Sequence, residues 1–175
     1  AFLVPGFNPL CDAMALEALS LISTWLPIAV AEPTNLTARG GMQVGSCLAG
    51  ISFLKGLGLV HAISHMIGAE FNTHHGLTNA IILPVVLRFN LPGMDDKVRR
   101  MAEAMQLPDH SVNGFINSVE VLLDEIAIPK SLSEIGVTVD CAERIAGKAL
   151  KDSAARTNPH IATLAEVQAL TETAI

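Results

Sequence analysis

The sequence predicts an all-α fold, and three observations lead there. Ala, Leu, Ile, Met and Glu recur at helical spacing. Strand-like alternation is hard to find. Aromatic residues make up only 4% of the chain, with no Tyr. At 175 residues the chain is long enough for one sizeable core, so residues 1–175 read as a single helical domain.

The elements follow in order. Asn8 or Pro9 opens a first helix, because Asn caps well and Pro is tolerated in the first turn. Leu10, Met14, Leu16, Leu19 and Ile22 give it an apolar side, and Pro27 should end or kink it. Asn35 or Thr37 caps a second helix reaching about Leu57. This helix and its end carry Gly40, Gly41, Gly45, Gly50 and Gly56, which predict close backbone packing. A third helix spans Leu57 to about Ala69. A loop over Glu70–His75 follows, then a helix from Gly76 to about Phe89 that Pro84 should kink. Ordinary amphipathic helices are predicted near 94–105, 110–126, 138–151 and 163–173. Ser131 and Glu134 have the spacing of a capping box, and "RTNPH" reads as a turn.

Half of the residues are hydrophobic and the mean hydropathy is +0.45. That predicts a large buried fraction and some apolar surface facing another domain or subunit. The net charge is −6 and the 11 basic residues are scattered, so no nucleic-acid footprint is present. Glu17 and Pro27 break one candidate membrane span; Lys55 and the histidines break another. No membrane partner is therefore expected. The opening "AFLVPGFNP" lacks the basic region of a signal peptide and an initiator Met, as if cut from something longer. Cys11, Cys47 and Cys141 form no CxxC and read as reduced thiols of a cytoplasmic protein. Cys47, among small residues, reads as a packed one.

Residues 58–80, "GLVHAISHMIGAEFNTHHGLTNA", hold four of the six histidines. His61 and His65 are four apart and share one helix face. His74 and His75 lie in a turn that can fold back on the same spot. Spacing alone points to His61 and His65 as metal ligands, joined by His74 or His75, since neutral imidazole suits zinc or ferrous iron. Asp12 reads as an early-helix charge and Glu70 as solvent-facing.

The stretch "GLGLVHAISHMIGAEFNTHHGLTNAIILPVVLRFN" resembles the hallmark of the iron-containing, group III alcohol dehydrogenases. The positions that carry it are Gly58, His61, His65, Gly68, His75, Gly76, Asn79, Ala80 and Pro84. "FNPLCDAMALEALSLI", "EPTNLTARGGMQVGSCLAGISF" and "LKDSAARTNPHIATLAEV" extend the likeness over the whole chain.

The resemblance implies a two-domain oxidoreductase. An N-terminal domain binds NAD or NADP, a helical C-terminal domain carries Fe2+ or, alternatively, Zn2+, and an alcohol or aldehyde sits between them. It reassigns the ligands to His61 and His75. His65 becomes the catalytic residue beside the nicotinamide and substrate, and His74 is left without a role. The family's other two ligands, an Asp and a His four residues later, would precede Ala1. This chain then lacks the cofactor domain, binds metal poorly alone and is inactive alone. Its partners would be that domain and further copies in a homo-oligomer, with an apolar face exposed around His61, His65 and His75. A glycerol-dehydrogenase-like relative and a non-enzymatic helical module are the alternatives.

Overall fold

The computed structural model describes residues 1–175 as eight α-helices and four short 3-10 segments, without strands. The helices are α1 Pro9–Ala31, α2 Leu36–Ser52, α3 Leu59–Phe71, α4 His75–Asn90, α5 Asp95–Ala104, α6 Val112–Glu125, α7 Ala142–Ala149 and α8 Leu164–Ala174. They fall into two compact units: residues 1–56 with 91–126, and residues 57–90 with 127–175.

In the first unit, α1 and α2 form an antiparallel hairpin. Asn8 caps α1 by accepting from the Cys11 N–H at 3.1 Å, and Asn35 caps α2 by accepting from Ala38 at 3.1 Å. Pro27 does not end α1, which runs on to Ala31, and Pro84 likewise lies within α4. Each proline removes one N–H from its ladder, and the remaining bonds and packing carry the helix across. α1 is also long and apolar enough, by length and composition, to cross a membrane, with mean hydropathy 1.6 in its most apolar window. Here it lies along α2. Asp12 near its start meets Lys55 at 2.5 Å, and the Lys55 side chain is 4% exposed. Asp12 is thus one half of a largely buried ion pair rather than a free dipole charge.

Two of the five glycines account for the close approach. A Cβ on Gly41 would collide with the Trp25 indole, and one on Gly45 would lie 3.0 Å from Ile22 Cγ1. Gly40 and Gly50 face open space. Cys47 is exposed on α2, not packed. α5 and α6 complete the unit against α1. Lys97 of α5 donates to the carbonyls of Phe2, Leu3 and Val4 at 2.8, 3.2 and 3.4 Å, which ties the opening segment down.

The second unit packs α3, α4, α7 and α8 around Leu59, Ile63, Ile67, Ile82, Val86, Leu132, Ile145 and Val167. The 3-10 turn at Leu132 starts beside Glu134, whose carboxylate accepts from Lys130 and Ser131 at 2.8 and 3.1 Å; this is the return half of the predicted capping box. The large exposed hydrophobics of this unit are Val139, Ile161 and Leu164, none of them on the histidine-bearing helices. In the α1–α2 unit, Phe7, Leu10, Leu36, Val44 and Leu54 are exposed.

Neighbouring glycines of α2 give a direct test of the hairpin. Gly40→Ala raises stability by about 1 kcal/mol, because a helical site gains Ala propensity with nothing to clash. Gly41→Ala lowers it by about 1–3 kcal/mol through overpacking against Trp25. Urea unfolding of the two variants checks the opposite signs.

Candidate metal and catalytic centre

The site is built on α3, whose first turn is held from far along the chain. Asn158 Oδ1 accepts from the Leu59 N–H at 3.1 Å and from Asn90 Nδ2 at 3.0 Å. Asn158 Nδ2 donates to Asn90 Oδ1 and to the His160 carbonyl, both at 2.8 Å. Thr157 adds two bonds to the Leu57 backbone, at 3.1 and 2.9 Å. Gly58 is required for this approach, since a Cβ there would lie 2.9 Å from Asn158 Oδ1. His61 and His65 follow one and two turns later on one face.

α3 ends on Asn72, a left-handed residue with φ 53° whose N–H returns to the Gly68 carbonyl. Asn tolerates that conformation better than most residues. The chain then reverses through Thr73 and His74 and enters α4 at His75. His74 has a structural role that its position in the motif does not reveal. Its Nδ1 accepts from the Leu77 N–H at 3.3 Å, so it caps α4 as an Asn or Ser would.

The reversal brings three imidazoles together. Ring centroids lie 5.9 Å apart for His61 and His65, and 5.4 Å apart for His75 with each of the others. His74 stays at the helix cap. His75 is held at both nitrogens: Nδ1 is 3.0 Å from Ser64 Oγ and Nε2 is 3.0 Å from Asn79 Nδ2. An amide nitrogen only donates, so Nε2 carries the lone pair and Nδ1 carries the proton. His61 is half-buried. Burial, then the neighbouring His75 and His65, lower its pKa from 6.5 to about 4, so it is neutral at pH 7.

Asp152 joins this cluster, and nothing in the local sequence singles it out. It lies 87 residues from His65, with its Oδ2 3.0 Å from His65 Nδ1. Its position within "LKDSAARTNPH" marks it only as one more charge before a turn. Burial opposes its ionisation, but the Ala154 N–H and His65 outweigh that and hold the carboxyl below its usual range. Glu70 does not simply face solvent: it pairs with Arg144 and Lys148 of α7, and the Arg144 bond lowers its pKa.

The cluster is rich in lone pairs and short of protons. His61 and His75 are neutral with one unprotonated nitrogen each, and the buried Asn79 Oδ1 has no donor. That chemistry suits a divalent cation. Yet no three His, Cys, Asp or Glu side chains of the chain form a group that could hold one. The residues present fit a metal as part of a ligand set.

A helical domain with a partial imidazole site is the class that fold and geometry define. Family comparison makes it specific: the model of the Fe-containing alcohol dehydrogenase family, C-terminal, matches residues 1–175. The chain belongs to that family. It is 32% identical over its full length to the NAD-dependent methanol dehydrogenase of Bacillus methanolicus, of which it covers 48%. It is 35% identical to the 1,3-propanediol dehydrogenase of Klebsiella pneumoniae, with 97% of the chain and 46% of that protein aligned. The crystal structure of a 1,3-propanediol oxidoreductase superposes with TM-score 0.95 at 34% identity, covering 99% of this chain and 47% of that one. The chain spans about half the length of the curated relatives it matches.

Two outcomes follow from this geometry. Asn158→Ala strips the Leu59 N–H and Asn90 of partners, and lowers stability by roughly 2–4 kcal/mol in denaturant titration. The second concerns pH. The folded state prefers neutral His61, so that stabilisation is complete above pH 6.5 and is lost as pH falls toward 4. Melting curves of the metal-free protein should drop across that window, and His61→Gln should flatten the drop. Parallel curves for the two proteins would refute it.

Proposed function

We propose that this chain is the metal-binding helical domain, residues 1–175, of an NAD- or NADP-dependent alcohol dehydrogenase. A preceding domain carries the cofactor site. The observation that carries this reading is the convergence of His61, His65 and His75 from two helices to ring separations of 5.4–5.9 Å. Family membership and the alcohol dehydrogenase names of the relatives support it.

His61 and His75 hold the divalent ion, Fe2+ with Zn2+ as the alternative, and the remaining ligands come from outside the chain. When bound, the ion supplies a Lewis acid that lowers the pKa of the alcohol hydroxyl. His61 offers its lone pair because burial keeps it neutral. Ser64 anchors Nδ1 of His75, so Nε2, which now faces Asn79, is the nitrogen that would hold the ion. His65 lines the substrate and nicotinamide side and takes the hydroxyl proton at Nε2. The bound nicotinamide would supply the hydride acceptor, so that an alcohol would give an aldehyde or ketone, reduced cofactor and one proton. The three free cysteines fit a reducing, cytoplasmic setting, and the exposed apolar residues of α1 and α2 fit a domain or subunit contact in a homo-oligomer.

Metal analysis and turnover of the longer polypeptide test this. One ion per chain and NAD(P)-dependent alcohol oxidation are the expected results. His61→Ala and His75→Ala each lower metal content and abolish oxidation. His65→Ala keeps the metal and lowers kcat by about 10²–10⁴-fold. The 175-residue chain alone retains less than one ion. Full metal occupancy in both ligand variants would overturn the assignment.

A further inference from the structure

Asp152 sits in the turn that follows α7, and its two oxygens do different work. Oδ1 accepts from the Ala154 N–H at 2.7 Å, a local bond that fixes the direction of the carboxylate. Oδ2 faces His65 Nδ1 at 3.0 Å. The Asp152 side chain is 14% exposed and that of His65 37%, so the pair is partly shielded from competing water. A carboxylate only accepts, so the shared proton belongs to Nδ1 of His65. In the neutral ring, Nε2 on the other edge is then the nitrogen that keeps the lone pair. The ring itself lies nearly parallel to His75, at 17° and 5.4 Å.

From this we infer that Asp152 is a positioning residue that locks His65 in the Nδ1–H tautomer, with its Nε2 lone pair left for the reacting centre. The inference rests on the reading of His65 as the group that receives the hydroxyl proton, but only in its consequence for turnover. The tautomer is a property of the His65–Asp152 pair itself. Without the carboxylate the neutral ring is free to carry its proton on Nε2, which then has no lone pair to offer. Serine proteases show the scale of such an effect. There an Asp orients the catalytic His, and changing it to Asn leaves the geometry intact but costs about 10⁴-fold in kcat through the wrong tautomer.

The test uses the longer polypeptide with ¹⁵N-labelled histidine, kept metal-free for the spectra, with His65→Ala to assign the signal. Long-range ¹H–¹⁵N spectra should show His65 protonated at Nδ1 and bare at Nε2. Asp152→Asn should move the proton to Nε2, and Asp152→Glu should restore the original pattern. With metal and cofactor present, Asp152→Asn should keep its metal and KM within about 3-fold while kcat falls roughly 10²–10⁴-fold, with partial rescue by Asp152→Glu. An unmoved tautomer in Asp152→Asn overturns the inference, whatever the activity. A moved tautomer with unchanged kcat upholds the positioning role and instead removes His65 from proton transfer. Should Asp152→Asn not fold, the unmutated protein still decides, since a ring bare at Nδ1 overturns the inference.

Discussion

The geometry of the histidine cluster depends on the clasp that Asn158 places over the start of α3. A helix leaves its first N–H groups without internal partners, and α3 begins on Gly58, which has no side chain to supply one. Asn158 supplies it from 99 residues away and is itself bonded to Asn90, the last residue of α4. One amide thus ties the beginning of α3 to the end of α4. These two helices carry His61, His65 and His75. The network is buried, so each bond lost exposes a partner that cannot find water.

With both far ends fixed, the short link between α3 and α4 sets the distance between the rings. Asn72 turns the chain in the left-handed region, and His74 closes the turn by capping α4. Only Asn72, Thr73 and His74 make up the link, so His75 has little freedom in where it emerges. Ser64 then meets it from the facing side of α3. A four-residue spacing on one helix, a short reversal and a helix cap are together enough to gather three imidazoles. None of these steps calls for a metal.

Most of the local framework is legible in the sequence because its causes are local. Asn8, Asn35 and the Ser131–Glu134 spacing announce their caps, and the apolar periods place all eight helices to within a few residues. Pro27 and Pro84 both lie within helices, since the loss of one N–H does not decide whether packing carries α1 and α4 across. Glycine counting is right in kind but not in place: only contact with Trp25 or Ile22 separates Gly41 and Gly45 from Gly40 and Gly50. The histidine motif can be read because all its residues fall in the one stretch from Gly58 to Pro84. Asp152 and the Asn158 clasp cannot, since their partners lie 87 and 99 residues away and neither residue type is unusual before a turn.

The protonation pattern links this framework to chemistry. A cluster of imidazoles in water would share protons freely and repel one another as they charged. Here each ring is treated differently. Burial keeps His61 neutral. Ser64 and Asn79 polarise His75 so that its unprotonated nitrogen is Nε2. Asp152 takes the Nδ1 proton of His65 into a charge-assisted bond. The orphaned Asn79 Oδ1 adds a further acceptor beside them. Three rings of one residue type, gathered to 5.4–5.9 Å, are therefore each conditioned by a different neighbour. The difference between the rings arises from Ser64, Asn79 and Asp152 as much as from the histidines.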